Sequence, residues 1–441
     1  MSRQLIVIGG GLAGSEAAWQ AARRGIRVTL YEMRPDKMTE AHRTGDLGEL
    51  VCSNSLRSND LYSAPGLLKR ELSMAGSLIM EAAEKSVVPA GSALAVDRSI
   101  FAEFISRRLS DNPDIQIIRK EIVELPEEPA VIATGPLTSE SMAYSLSALL
   151  GGDHLYFYDA IAPIIDSESI DSELVYRASR YGKGGDDYIN CPMNKEEYEA
   201  FYDALMEADR VTPREFENQK VFEGCMPIEV MAARGRDTIR FGPMKPVGLI
   251  DPKTGKEPYA VVQLRAENKE MTAYNIVGFQ TRLRWPEQKR VFQMIPGLGK
   301  AEFLRFGSLH RNTFINSPLF LNKDLTLKKR ENIFVAGQIS GVEGYIESTA
   351  MGLIAGINAA FRLKGRDPVN VPPTTSHGAL IRHITESESK NFQPSNINFG
   401  LFKVPDDILG IRDKKKKKTA IVDRALRDWE EYVKKVFSED A

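Results

Sequence analysis

The sequence predicts an α/β fold: a Rossmann domain that is discontinuous along the chain, with an inserted α+β domain. Three stretches carry that prediction. "LIVIGGGLAGSEAAWQAARRGIRVTLYE" opens with an apolar strand, Leu5 to Ile8, turns on Gly9, Gly11 and Gly14, continues as an alanine-rich helix and returns in a strand ending on Glu32. "EEPAVIATGP", residues 127–136, is a buried-type strand that ends in Ala-Thr-Gly at Gly135. "ENIFVAGQISGVEGYIESTAMGLIAGINAA", residues 331–360, is a strand, a loop broken by Gly337, Gly341 and Gly344, and an apolar helix with small residues.

Each part of the first stretch has a physical task. Gly9 permits a tight turn, Gly11 lets the backbone approach a pyrophosphate, and Gly14 allows helix and strand to pack closely. The turn Gly9, Gly10, Gly11, Leu12, Ala13, Gly14 opens a helix, whose first N–H groups favour an anion. Glu32, eighteen residues after Gly14, can accept a bond from a ribose hydroxyl, which suits FAD or NAD rather than NADP. The three stretches together resemble the glutathione-reductase-like FAD fold, in which the last segment passes beside the flavin ring and its helix points an N-terminus at it. That resemblance divides the chain into an FAD-binding domain, first part, over residues 1–154, an inserted substrate domain over 155–305, the last part of the FAD-binding domain over 306–365, and a C-terminal segment with a basic tail over 366–441.

The insertion mixes helical text, "NKEEYEAFYDALMEAD", with strand text, "YAVVQLRAEN" and "AYNIVGFQTRL". It has no second G-x-G-x-x-G in a strand–helix frame, so a reduced nicotinamide is expected to visit without a Rossmann domain of its own. Arg282 and Arg284 in "FQTRLRWPEQKRVF" put positive charge beside an aromatic, suited either to phosphate contact or to surface packing. The 441 residues are 42% hydrophobic and 27% charged, close to the average of soluble proteins. Three scattered cysteines make no disulfide framework and no zinc knuckle. No apolar run reaches membrane-spanning length, and a cytoplasmic protein is expected. Net charge is only −2, but residues 412–418, "RDKKKKK", concentrate six cations, Lys414, Lys415 and Lys416 among them, against one acid. Such a run reads as a solvated charged turn before a terminal helix, or as a local patch for nucleic-acid phosphates.

Cys52 in "GELVCSNSLRSND" and Cys225 in "VFEGCMPIEVMAARG" lie among small and polar neighbours rather than in apolar runs. Taken alone, they read either as small buried hydrophobes or as reactive thiols. Taken together, "VIGGGLAGSEAA", "GELVCSNSLRSN", "FEGCMPIEVMA", "RFGPMKPVGL", "GSLHRNTFINSP" and "VAGQISGVEGYIESTAMGL" resemble the folate- and FAD-dependent tRNA (uracil-5-)-methyltransferase family over nearly the whole chain. The glucose-inhibited-division family, which modifies the wobble uridine of tRNA, shares the first and last motifs and lacks the middle ones.

The resemblance implies a reaction that uses both thiols and a flavin. A thiolate adds to carbon 6 of uracil and makes carbon 5 nucleophilic; 5,10-methylenetetrahydrofolate supplies carbon at the formaldehyde level; reduced FAD, restored by NADH or NADPH, supplies a hydride. It implies Cys225 as nucleophile and Cys52 as the partner that removes the carbon-5 proton or helps load the methylene, with the two roles exchangeable. It also implies His310 as a residue stacking on the pterin, and Cys191 is read as structural. The T-loop uridine of tRNA is the implied target, with a ribosomal RNA uridine as the other candidate and no obligate protein partner. Two competing readings are an FAD-dependent oxidoreductase of a small metabolite and a non-catalytic FAD-bound partner in RNA modification.

Overall fold

The computed structural model describes residues 4–151, 154–182, 185–211 and 226–438. Its central sheet gathers segments from the two ends of the chain. Strand Gln4–Ile8 pairs in parallel with Arg27–Glu32 on one side and Ala130–Ile132 on the other. Outside these lie Ile115–Arg119 and Arg330–Val335, also parallel, and the short antiparallel edge Thr326–Leu327. The inner strands are near-continuous apolar runs because both faces are covered: Leu5, Val7, Val131 and Val335 are fully buried. One covering layer contains two helices, Leu12–Ala22 and Tyr345–Leu363. Their backbones almost touch, since a Cβ on Gly352 would lie 2.2 Å from the Ala13 carbonyl oxygen and one on Gly356 2.4 Å from that of Ala17.

A second sheet, antiparallel throughout, runs Tyr176–Arg177, Tyr188–Met193, Ala260–Ala266, Ala273–Ile276, Ile164–Asp166 and Phe303–Arg305 in spatial order. It has a hydrophobic core of its own, shared with helix Lys195–Glu207. Asn194 and Glu197 start that helix with a reciprocal capping box, which satisfies two otherwise unpaired N–H groups. Cys191 is fully buried on the strand Tyr188–Met193, and burial pushes its thiol pKa up, away from the reactive thiolate. An antiparallel pair, His154–Ile161 with Ser308–Ile315, stands apart from both sheets.

The C-terminal segment is built into the core of the first sheet. Helices Ser376–Glu386 and Lys414–Ser438 contribute Leu380, Val422, Ala425 and Trp429 to it, all fully buried. The Trp429 indole Nε1 donates to the Glu71 carbonyl at 2.7 Å, and its ring stacks on His377 with centroids 4.1 Å apart. The Glu71 carboxylate in turn accepts from the backbone N–H groups of Ser376 and His377, which lie in the first turn of the preceding helix. The lysine run, exposed at Lys414 to Lys416, is not a turn ahead of the terminal helix but its first residues, helical from Lys414 onward. Asp413 explains this, because its side chain accepts from Lys416 N and its carbonyl from Lys417 N.

Trp429 is the anchor of this terminal helix. Trp429→Ala is expected to lower unfolding free energy by about 3–5 kcal/mol, and Trp429→Phe by less because a ring remains against His377. Denaturant titration measures both; an unchanged midpoint for the alanine variant would mean that the helix adds nothing to the core.

Candidate functional site

A cleft open to solvent lies where the strands Gln4–Ile8 and Ala130–Ile132 end. The glycine turn after the first strand shapes it. Gly9 has φ +102°, and a Cβ there would lie 2.4 Å from the Ala133 carbonyl oxygen. A Cβ on Gly14 would come within 1.8 Å of the Gly9 carbonyl oxygen. At Gly11 and Gly135, both on the cleft wall, an added Cβ would meet nothing within 4 Å. Bare backbone thus faces open space at those two positions. Leu12, Ala13 and Gly337 also line the cleft, whereas Gly10, Gly14, Gly341 and Gly344 do not. Gly341 makes room for the Phe392 ring and Gly344 for the Glu347 carboxylate.

Glu32 lines the cleft and is already well bonded. One oxygen accepts from Gly10 N at 2.8 Å and from Arg34 Nη2, the other from Arg34 N and Nε, both at 3.0 Å. Burial alone would raise its pKa, but the bonds and charge of Arg34, followed by Gly10, outweigh it and hold the carboxyl below its ordinary value. Arg34, itself buried, reaches on to Glu49 at 2.9 Å.

The loop carrying Cys52 borders the same cleft, for Val51 and Tyr345 are both in its wall. Cys52 is half-buried. The Tyr345 hydroxyl accepts from Cys52 N at 2.8 Å and from Ser53 N at 3.2 Å. Two guanidinium groups hold the other side of the peptide: Arg98 and Arg305 both donate to the Cys52 carbonyl, at 2.9 and 3.0 Å. Arg305 also donates to Val51 O and Arg98 to Leu50 O. Arg98 pairs with Glu267, next to the second sheet, at 2.5 Å. Burial, and then the charge of Arg98, pull the pKa of Arg305 down to about 10. Further along the loop, buried Lys69 donates to Leu56 O and Ser58 O, and burial lowers it to about 8 although Glu347 pulls the other way.

The remaining sequence candidates are dispersed. Cys225 lies outside the described residues. Just after it, the helix Ile228–Ala233 carries Glu229, whose buried carboxylate accepts from Thr281 Oγ1 and Arg282 N and sits 3.5 Å from the Arg282 guanidinium. Arg282 is therefore engaged, while Arg284 is exposed. His310 is on the strand Ser308–Ile315, and its side chain lies outside the described residues. Lys414, Lys415 and Lys416 are exposed at the start of the last helix and are not among the described residues that line the cleft. Arg34, Arg98, Arg305 and Tyr345 were not singled out in the sequence. Their partners lie up to 293 residues away, and the apolar strand running into "VDRSIF" is the one local signal that Arg98 stands near the core.

The family model described as "Glucose inhibited division protein A" matches residues 4–367. Methylenetetrahydrofolate–tRNA-(uracil-5-)-methyltransferases of Moorella thermoacetica and Geobacter sulfurreducens are 57% and 56% identical over 430 and 435 residues, 97% and 98% of this chain and 98% and 99% of theirs. The chain belongs to the methylenetetrahydrofolate–tRNA-(uracil-5-)-methyltransferase family. Among solved structures, GidA of Aquifex aeolicus in its form II crystal matches with a TM-score of 0.70 at 18% identity, over 99% of this chain and 75% of that one, a likeness of fold.

This methyltransferase family uses FAD, and the cleft fits it. Gly11 and Gly135 leave room for a ligand against the backbone, and Glu32 lies in the wall, its carboxylate set there by Gly10 and Arg34. Val51 and Tyr345 bring the Cys52 loop to that wall.

Two variants separate cofactor binding from folding. Gly11→Ala is expected to fold like the parent but purify without flavin, whereas Gly14→Ala forces a backbone clash and is expected to lose about 1–3 kcal/mol or more. Flavin absorbance and thermal unfolding read the two; a yellow Gly11→Ala protein would remove the phosphate assignment. A second test uses pH. Because the folded-state pKa of Glu32 is depressed, its ionisation stabilises the fold above the ordinary carboxylate range, and that share is lost as pH falls through the depressed value. The stability difference between parent and Glu32→Gln should therefore be constant above about pH 5 and shrink on acidification; a difference independent of pH would mean that the carboxylate charge is not used.

Proposed function

We propose that this chain transfers the methylene of 5,10-methylenetetrahydrofolate to carbon 5 of a tRNA uridine, by family resemblance the T-loop uridine, and that the product is 5-methyluridine. The observation that carries the reading is the Cys52 loop clamped at the wall of the dinucleotide cleft. Bound FAD, reduced by NADH or NADPH, supplies the hydride that completes the methyl group. Everything else falls to the chain's own residues. Cys225 adds as thiolate to carbon 6 of uracil, which makes carbon 5 nucleophilic. Cys52 takes the carbon-5 proton, from a loop whose Cys52 carbonyl is held by Arg98 and Arg305.

His310 stacks on the pterin, and Arg284 with Lys414, Lys415 and Lys416 meets RNA phosphates. Arg282 positions the segment that follows Cys225, through Glu229. In this reading residues 1–154 and 306–365 serve the flavin and 155–305 the substrates, while 366–441 buttresses the first sheet and presents the lysines. The setting is the cytoplasm, and no further protein is needed. A small-metabolite oxidoreductase and a non-catalytic partner are not favoured by relatives whose names carry the tRNA reaction.

Label from the folate methylene should appear in tRNA 5-methyluridine, with none from S-adenosylmethionine; the reverse pattern would sink the reading. In tRNA carrying 5-fluorouridine at the target, the adduct cannot lose fluorine as it would a proton, so a covalent complex that survives denaturation is expected on Cys225. Cys225→Ser should abolish it and keep FAD. An adduct mapped to Cys52 exchanges the two roles, and a fully active Cys225→Ser enzyme would remove the nucleophile assignment.

A further inference from the structure

Three aromatic rings form a ladder at the edge of the second sheet. Trp285 stacks on Phe306 with centroids 5.5 Å apart and planes 14° apart, and Phe306 on Phe303 at 5.0 Å and 12°. Trp285 remains 63% exposed. The other two tryptophans are accounted for by the fold: Trp429 is fully buried, and Trp19 is half-buried with its Nε1 on the Gly76 carbonyl. An indole left in water at the end of an ordered parallel stack has a π-face that no ring among the described residues covers.

The surroundings say what kind of ligand fits. Arg284, the residue before the helix Trp285–Phe292, is exposed, and so is Lys289. Lys289 is four residues after Trp285 and so lies on the same helix face. Neither has an ion pair among the described residues, whereas Glu287, the acid on that helix, is tied to Arg290 at 2.6 Å. The ladder is also held rigid. Buried Gln288 donates to Leu283 O and Gly307 O and accepts from Gly307 N, which locks the start of the helix to the segment carrying Phe306. Arg305, between Leu304 and Phe306, is the residue that holds the Cys52 carbonyl. An aromatic platform with cations beside it, one residue from the clamp on the reaction loop, has the chemistry of a single-stranded nucleic-acid site, where any base can stack and phosphates meet the cations.

We propose that Trp285, Phe306 and Phe303 form a stacking platform for unpaired bases of the RNA substrate, with Arg284 and Lys289 taking the adjoining phosphates. This rests on the RNA-methylation reading above and names how that RNA is gripped. A second copy of the chain would bring the same cations and repel, which leaves the folate ring system as the rival occupant.

The test uses the FAD-loaded enzyme, unmodified tRNA transcript and an RNA duplex without loops. Trp285→Ala should raise the tRNA Kd by roughly 5- to 150-fold, the range of one lost base stack. The KM for methylenetetrahydrofolate, the flavin content and the weaker binding of the duplex should stay as in the parent. Trp285→Phe should restore most of the affinity, and Phe306→Leu should weaken tRNA binding in the same direction. Addition of tRNA should quench the exposed indole of the parent, and this quenching should vanish in Trp285→Phe. An unchanged tRNA Kd in Trp285→Ala would overturn the proposal, and so would a raised folate KM with tRNA binding intact, which would give the ladder to the folate. A parent enzyme that binds no tRNA at all would overturn the methylation reading itself.

Discussion

The contact between the helices Leu12–Ala22 and Tyr345–Leu363 is the constraint from which the rest of the site follows. It joins segments more than 300 residues apart with no side chain between their backbones at Gly352 and Gly356. A methyl group at either position would push the helices apart. Gly337 continues the same seam, since a Cβ there would lie 2.8 Å from that of Ala13. Because the late helix is held this close, its first residue, Tyr345, stands in the wall opened by the early glycine turn. Tyr345 then fixes the peptide after Cys52, and Arg98 and Arg305 fix its carbonyl. Close packing of small residues thus sets where a thiol stands.

Much of the first sheet was legible because its signals are local. The strands at Leu5 to Ile8 and Ala130–Ile132 are unbroken apolar runs, Gly9 and Gly14 fall where φ or contact demands glycine, and Gly11 falls where the backbone is open to a ligand. The helix Lys195–Glu207 and the strands Ala260–Ala266 and Ala273–Ile276 carried clear periodicity or runs. The strand Ile115–Arg119 was not singled out. It is an outer strand of the sheet, only partly buried beyond Ile115, so its pattern is weak.

The clamp around Cys52 was illegible for a different reason. A half-buried arginine bonded to carbonyl oxygens leaves no pattern in sequence, because every residue has a carbonyl and only the tertiary fold decides which ones meet. Arg98 and Arg305 read as surface cations until Leu50, Val51 and Cys52 are placed against them. Glu229 likewise reads as an ordinary helix acid, yet it is fully buried and receives the Thr281–Arg282 segment. Composition misled at the lysine run, where one aspartate, Asp413, turns a charged stretch into the start of a helix.

That start runs against its own field: the N-terminal end of a helix is partially positive, and lysines placed there repel it. What keeps the helix intact is Trp429, fifteen residues on and about 22 Å along the axis, wedged against His377 and Glu71. The lysines therefore ride on a stiff arm rooted in the core rather than on a loose thread. A loose thread must give up its freedom each time it engages a polyanion, a cost that grows with every residue stilled. A rooted arm has met that cost once, during folding, and presents its charges at a set spacing to whatever approaches.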